Sequence, residues 1–448
     1  MMRLIDGFDT ENAVGPFGNA LPVTAVGKGW IATYNLGYGS LSTTGLTNGV
    51  DVPIYGFGNY GAQAMNGSSS LLAQFDNQTA WTAGFSWCQR WGSRAGGFVM
   101  FQLLDAGTPQ VTLSFENASN VTVANDWQLA SGGTIFQRMP APIFMDAWYF
   151  IEIHVFIDSS AGSYEVRLDN KTIMQGTNVN TQNSSHNTAN QVYFGVPGGG
   201  GGAGVDGSID NLYINDGQPG TSGFLGPCRV VTYWPGADAN VSFTPDTGPS
   251  NWARVAHRAP DRSTGQDGGS PDDTAIGVAS ATPGALDLYT MTQVTPPPVA
   301  GTVVAVANNL YTRADPDYTL AVAVGSGDLT MTLNATPTLI TLGTWVRLGD
   351  YEIVLCGYPV GPVVPIVRAQ QGTTAGNYGI GTGVAALNTH QIETVMKEGS
   401  TQQTLHTYTV SEIYAAFVQI MESNPVTSAA WTLTDLATAE FGFESVTG

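Results

Sequence analysis

Positive charge is scarce in this chain: 15 of its 448 residues are Lys or Arg, against 35 Asp and Glu, giving a net charge of −20. A surface of that sign repels phosphate backbones, and no basic cluster interrupts it, so a nucleic-acid partner is excluded. Charge of either sign is sparse, at 11% of residues, about half the usual share. Cysteine is nearly absent. Cys88, Cys228 and Cys356 stand in different segments with no C-x-x-C spacing, which argues against a zinc ribbon or a disulfide framework and predicts three buried thiols. No uninterrupted run reaches the roughly 18 apolar residues of a membrane helix, and the N-terminus Met1-Met-Arg-Leu-Ile-Asp-Gly-Phe-Asp9 has no apolar stretch behind a basic end. The expectation is a chain made in the cytosol, without membrane insertion. Catalytic signatures are missing too: His154, His186, His257, His390 and His406 are scattered, with no Gly-x-Ser-x-Gly elbow and no His-Glu-x-x-His pair. The sequence therefore predicts no catalytic residue, no metal site and no cofactor.

What the chain has is period-two alternation. Ile151, Ile153, Val155 and Ile157 occupy every second position, and Trp148, Phe150, Glu152, His154 and Phe156 fill the others. After the turn Asp158-Ser-Ser-Ala-Gly-Ser163, Tyr164, Val166 and Leu168 alternate with Glu165, Arg167 and Asp169, which predicts a long hairpin. Trp81 to Trp91, Gly97 to Leu104, Val111 to Glu116, Gln191 to Gly195 and Ser208 to Ile214 read as further strands, and a sandwich of two antiparallel layers follows. The fold class expected is all-β: a jelly-roll, concanavalin-A-like sandwich over residues 1–222, then a second β-sandwich over 223–318 and 388–448. A small barrel-like β-module over 319–387 interrupts the second domain. The boundaries rest on the small turn residues Gly217 to Gly223 and on five short strands between Thr319 and Leu387. Ser411 to Glu422 reads equally as a helix or an edge strand.

Two constellations bear on chemistry. Glu152 and Glu165, on adjoining strands of one hairpin, are the candidate glycosidase acid pair, although the Glu-x-Asp-x-x-Glu spacing common on one strand of sandwich glycosidases is absent. The same residues read as a cross-strand ion pair with Arg167 on a solvated face, helped by His154. Trp81, Phe85, Trp87 and Trp91 share one face of a strand and are the candidate glycan-binding platform; turned inward, the same rings are core, and the apolar area they carry favours that orientation. The glycine run Gly198 to Gly202 lacks the Lys-Ser/Thr of a phosphate cradle and reads as a flexible loop. Asp206, Asp210 and Asp216, or Asp261, Asp267, Asp272 and Asp273, offer oxygen ligands without the spacing of a calcium loop.

The opening Met2-Arg-Leu-Ile-Asp-Gly-Phe-Asp9 with Lys28-Gly-Trp30 resembles tail-associated and minor structural proteins of tailed bacteriophages. The likeness extends to Ser208-Ile-Asp-Asn-Leu-Tyr-Ile-Asn-Asp216, to Gly223-Phe-Leu-Gly-Pro-Cys-Arg-Val230, and to Pro271-Asp-Asp-Thr274 with Asp287-Leu-Tyr289. It ends on Glu422 to Thr432 with Glu440-Phe-Gly442, and Arg368-Ala-Gln-Gln-Gly-Thr-Thr-Ala375 is similar to small β-modules of phage fibres and baseplates. Gly226-Pro-Cys228 departs from the Asp-containing turn of that group. The resemblance implies a concanavalin-A-like or laminin-G-like first domain and a virion component, with no catalytic residue to carry over. The expectation is a non-enzymatic virion structural protein, tail or fibre associated and homo-oligomeric, whose partners are other virion proteins and host surface polysaccharide. A head or capsid decoration protein is the first alternative. A glycan-degrading enzyme using Glu152 and Glu165 is the second.

Overall fold

The computed structural model describes residues 2–6, 30–34, 63–65, 70–91, 98–117, 125–140, 147–195, 206–217, 223–228, 230, 233–245, 248, 250–255, 278–280, 282–293, 301–312, 317–349, 352–387, 390–410 and 415–447. Among the described residues strands hold 61% and helices 4%, so the class is all-β, as the period-two patterning predicts. The glycine run 198–202 and the acidic group Asp261, Asp267, Asp272 and Asp273 lie outside the described residues.

Among the described residues, fourteen strands build the first domain: β1 (Met2–Asp6), β2 (Trp30–Tyr34), β3 (Gln63–Met65), β4 (Ser70–Gln78), β5 (Ala80–Trp91), β6 (Phe98–Asp105), β7 (Thr108–Asn117), β8 (Asn125–Ser131), β9 (Thr134–Pro140), β10 (Trp148–Phe156), β11 (Gly162–Leu168), β12 (Lys171–Val179), β13 (Ala189–Gly195) and β14 (Asp206–Asp216). One sheet runs β1-β14-β5-β10-β11-β12, with β3 also on β14; the other runs β2-β4-β13-β6-β7-β8-β9. Every pairing among these strands is antiparallel. The predicted hairpin is β10–β11, with Ile153 opposite Val166. Its turn is fixed by Asp158, whose Oδ1 accepts from the Ser160 and Ala161 backbone N–H groups at 2.8 and 2.7 Å. Gly162 is required where the chain leaves that turn, because a Cβ there would lie 2.1 Å from Thr181 Oγ1.

Alternation decides which side chains are enclosed. Trp81, Ala83, Phe85 and Trp87 of β5 and Ile151, Ile153 and Val155 of β10 face Phe101, Leu103, Leu113, Trp127 and Phe194 of the opposite sheet in one core. Phe85 meets Phe194 edge-on at 5.2 Å between centroids, the geometry that aligns ring edge with ring face.

One polar side chain ties the 183–188 loop to this sandwich. Gln110 is 0% exposed. Its Oε1 accepts from Asn183 and Ser184 N–H, and its Nε2 donates to Ser184 Oγ and to the His186 and Thr188 carbonyls. Gln110→Ala is expected to lower stability by about 1–3 kcal/mol, since it removes a buried side chain and several part-buried hydrogen bonds to the loop at once. Chemical denaturation checks the magnitude, and faster proteolysis within 183–188 checks the location.

Beyond residue 230, Tyr233–Asn240, Leu286–Gln293, Glu440–Thr447, His390–Glu398 and Thr401–Val410 form a five-stranded sheet in that order, and Val306–Thr312 pairs with Ala415–Met421. The 411–422 stretch is thus a strand where it is described, not a helix. Strands between Tyr318 and Ala386 pair among themselves in a six-stranded sheet around Val346, Leu348, Val354, Val364 and Val384. His390 Nε2 lies 2.9 Å from Asp317 Oδ1, which brings the chain entering that unit beside the chain leaving it.

Candidate functional site

The side chains of β5, β10, β11 and β14 that point away from the core line the outer face of the first sheet. Antiparallel register places residues in rows: Tyr213, Gly84, Glu152 and Arg167 form one, and Asn215, Thr82, His154 and Glu165 the next. Glu152 and Glu165 are therefore diagonal neighbours on adjacent strands, a relation that separates backbones by about 7–8 Å. Gly84 is demanded by this packing: a Cβ there would fall 2.1 Å from the Tyr213 ring.

The two carboxylates have different surroundings. Glu152 is 0% exposed. Its Oε1 accepts from Tyr213 Oη at 2.5 Å and from the Leu225 and Gly226 N–H groups at 3.1 and 2.8 Å, whereas its Oε2 is buried without a hydrogen-bond partner among the described residues. Glu165 is half-buried; Arg167 Nε donates to its Oε1 at 2.8 Å and Thr172 Oγ1 at 2.6 Å. Burial pushes the Glu165 carboxyl up, but those hydrogen bonds and the charges of Arg167 and His154 outweigh it and hold the group below the ordinary carboxylate range. Burial, and next the Glu152 carboxylate, push the Tyr213 phenol well above its ordinary value, so it stays a hydrogen-bond donor.

A non-regular segment, Gly223–Cys228, crosses this face. Phe224 lies under the Arg167 guanidinium at 4.1 Å and edge-on to the His154 ring at 6.1 Å. His154 Nδ1 is 2.9 Å from Thr82 Oγ1, and Gly217 abuts the same imidazole so closely that a Cβ would come within 2.8 Å. Leu225 and Cys228 join Met2, Ile5, Phe150, Tyr213 and Ile420 in a small apolar cluster. Burial, then the adjacent Glu152, raise the Cys228 thiol to about 12.

Three of the four residues read as a glycan platform are core. Trp81, Phe85 and Trp87 are 1%, 0% and 2% exposed, because the small outward residues of β5, Thr82, Gly84 and Ser86, are the ones that face the covering segment. Trp91 ends β5, and its side chain lies outside the described residues. Of the ion-pair reading of the hairpin acids, the Glu165–Arg167 pair is present, but the face is not solvated: Glu152 is buried beneath the crossing segment and His154 is 7% exposed. Cys88 and Cys356 are buried as predicted, and Cys228 is half-buried. Tyr213 and Phe224 escaped sequence reasoning. Phe224-Leu225, an apolar pair flanked by Gly223 and Gly226, was the signal of an anchored crossing. Ser184, Asp105 and His186 also meet, but not as a nucleophilic triad. Ser184 Oγ donates to Asp105 Oδ2 at 2.6 Å, and His186 Nδ1 lies 2.9 Å from that same oxygen. The hydroxyl proton is thus directed to the carboxylate. Among the described residues no group of three or more His, Cys, Asp or Glu side chains is placed to hold a metal ion.

No family model matches the chain, and no curated protein matches it. Among solved structures it is similar to alginate lyase Aly36B (11% identity, covering 48% of this chain and 96% of that one, TM-score 0.31). It is similar also to alginate lyase AlgAT5 from polysaccharide lyase family 7 (10%, 35% and 79%, 0.27) and to a Trypanosoma rangeli sialidase (13%, 34% and 25%, 0.26). Their names are those of glycan-active enzymes, and the expectation of a non-enzymatic virion structural protein is corrected against that finding. The likeness is one of β-sandwich fold; what the chain does has to be argued from its own side chains.

Proposed function

We propose that the first domain degrades a glycan by hydrolysis on the outer face of the β1-to-β12 sheet, with Glu152 and Glu165 as the reacting pair. The observation that carries this reading is their diagonal placement on β10 and β11. Diagonal neighbours stand about 7–8 Å apart at the backbone and on one face of the sheet; with a water between their carboxyl groups they would act as an inverting pair. The environments divide the roles. Glu165, held ionised by Arg167 and Thr172, takes a proton from the attacking water. Glu152, once it has taken up a proton on Oε2, the oxygen without a partner among the described residues, delivers it to the departing glycosidic oxygen. The glycosidic carbon–oxygen bond breaks as the water oxygen bonds to the anomeric carbon, and the pair ends with its protons exchanged. His154 and Arg167 flank the pair as donors to sugar hydroxyls. A net charge of −20 opposes a polyanion such as the alginate named for the similar lyases, so the substrate class is a neutral polysaccharide.

The test is release of new reducing ends from a panel of neutral polysaccharides by the full chain. Glu165→Gln is expected to cut the rate by about 10²–10⁴-fold, the usual contribution of a positioned base, while losing the Arg167 ion pair costs about 0–1 kcal/mol of stability and leaves the chain folded. Undiminished turnover by Glu165→Gln would refute the proposal, as would no turnover on any member of the panel by the wild type and by variants that uncover the face.

A further inference from the structure

The proposed chemistry needs groups that Gly223–Cys228 covers. Glu152 gives its Oε1 to the Leu225 and Gly226 N–H groups, Arg167 lies over Phe224, and His154 meets the edge of the same ring. An aromatic face and two backbone donors here cover the side chains that a sugar ring and its hydroxyls would have to meet. We infer that Gly223–Cys228 is an autoinhibitory strap, and that lifting it admits a glycan to Glu152 and Glu165. This inference rests on the reading of the face as a reaction centre and adds its regulation.

The strap is built to detach from the sheet without disturbing it. It belongs to no strand, and it bends through Gly223 and Gly226 at φ +60° and +74°, a backbone region open to glycine at little cost. Closure leaves Glu152 Oε2 buried without a partner among the described residues, a deficit that water corrects once the strap is off. Its apolar anchors are shared: Leu225 and Cys228 pack with Met2, Ile5, Phe150 and Tyr213 of the sheet it crosses and with Ile420 on the strand Ala415–Met421, and Asn215 Nδ2 donates to the Gly223 carbonyl at 2.9 Å. The Met2 backbone N–H donates to Glu422 just beyond that strand. The contact with Ile420 is thus one anchor of the strap among several, and loosening it weakens closure.

Phe224→Ala removes the plug while keeping every group assigned to the reaction. If the strap is open in about 1% of molecules, apparent affinity is about 100-fold below intrinsic, and freeing it recovers up to that factor. The expected result is a roughly 10- to 100-fold rise in kcat/KM on the polysaccharide that the wild type cleaves. Alkylation of Cys228, mapped by mass spectrometry with buried Cys88 and Cys356 as references, should accelerate in parallel. Gly226→Pro is a second route to the same state. It removes one N–H bonded to Glu152 and forbids the positive φ, so it serves if Phe224→Ala proves unstable. Cleavage by the wild type that neither variant accelerates would overturn the strap and leave the reaction centre standing. Absence of cleavage in the wild type and both variants would overturn the reaction centre, and the strap as its lid with it.

Discussion

Arg368→Ala is expected to destabilise the sheet of residues 318–386 by about 3–5 kcal/mol, the range for removing one partner of a buried ion pair. Arg368 and Glu352 are 7% and 0% exposed in their side chains. The guanidinium donates to both carboxylate oxygens at 2.6 Å, a bidentate fork, and also donates to the Gly376 carbonyl at 2.7 Å and to the Gly325 carbonyl. Glu352 in turn accepts from the Ala369 and Gly376 N–H groups at 3.0 Å each. One residue pair thus joins strands Glu352–Cys356 and Val363–Gln370 to two loops. Alanine at 368 leaves the carboxylate buried and its loops untied. A double change, Arg368→Met with Glu352→Leu, is expected to be far milder than either single truncation, because it removes the desolvated charges along with their attraction. Hydrogen exchange across 345–386 measures both cases. Equal losses in the single and double variants would show that the carbonyl contacts, not the charge pair, hold the sheet.

The same pair sets an acid limit. Burial pushes the Glu352 carboxyl up, but the Arg368, Gly376 and Ala369 hydrogen bonds and the Arg368 charge outweigh it, so the folded group titrates below 4.5. A depressed folded value means that the unfolded chain binds the proton first. The stabilisation is therefore complete above pH 4.5 and is lost as pH falls through the lower folded value. Glu352→Gln should flatten this stretch of the acid-unfolding curve while lowering stability at neutral pH.

Period two was enough to read β10 and β11, because Ile151, Ile153 and Val155 fix one face and the Asp158 turn fixes the register. It was not enough to orient the aromatic stripe of β5. Alternation says that Trp81, Phe85 and Trp87 share a side; which side is core depends on Phe101, Trp127 and Phe194, which the chain supplies from distant positions. Tertiary pairing also separated the two acids. Both sit at equivalent outward positions of a hairpin, yet Glu152 lies in the middle of the sheet under a segment more than 70 residues further along the chain, and Glu165 sits nearer the edge among Arg167 and Thr172. Gly223-Phe-Leu-Gly-Pro-Cys228 reads as a linker because its turn residues speak for local backbone freedom. What Phe224 rests on is invisible in that composition.

Trp81→Ala is expected to cost about 3–5 kcal/mol, the range for truncating a large buried aromatic. The indole is 1% exposed, packs on Phe75 at 5.4 Å between centroids and donates from Nε1 to the Ala189 carbonyl at 3.1 Å. The loss therefore combines a cavity between the sheets with a buried carbonyl left without its donor. Trp81→Phe separates these contributions: it keeps most of the apolar contact and forfeits the hydrogen bond, so a smaller loss of about 1–2 kcal/mol is expected. Denaturant unfolding of the two variants, with any glycan affinity measured well below the transition, decides between core and platform. A ring that serves the core changes stability and leaves the affinity of the folded fraction unchanged. Weaker glycan binding by folded Trp81→Ala, with stability intact, would return that indole to the surface role that its burial denies it.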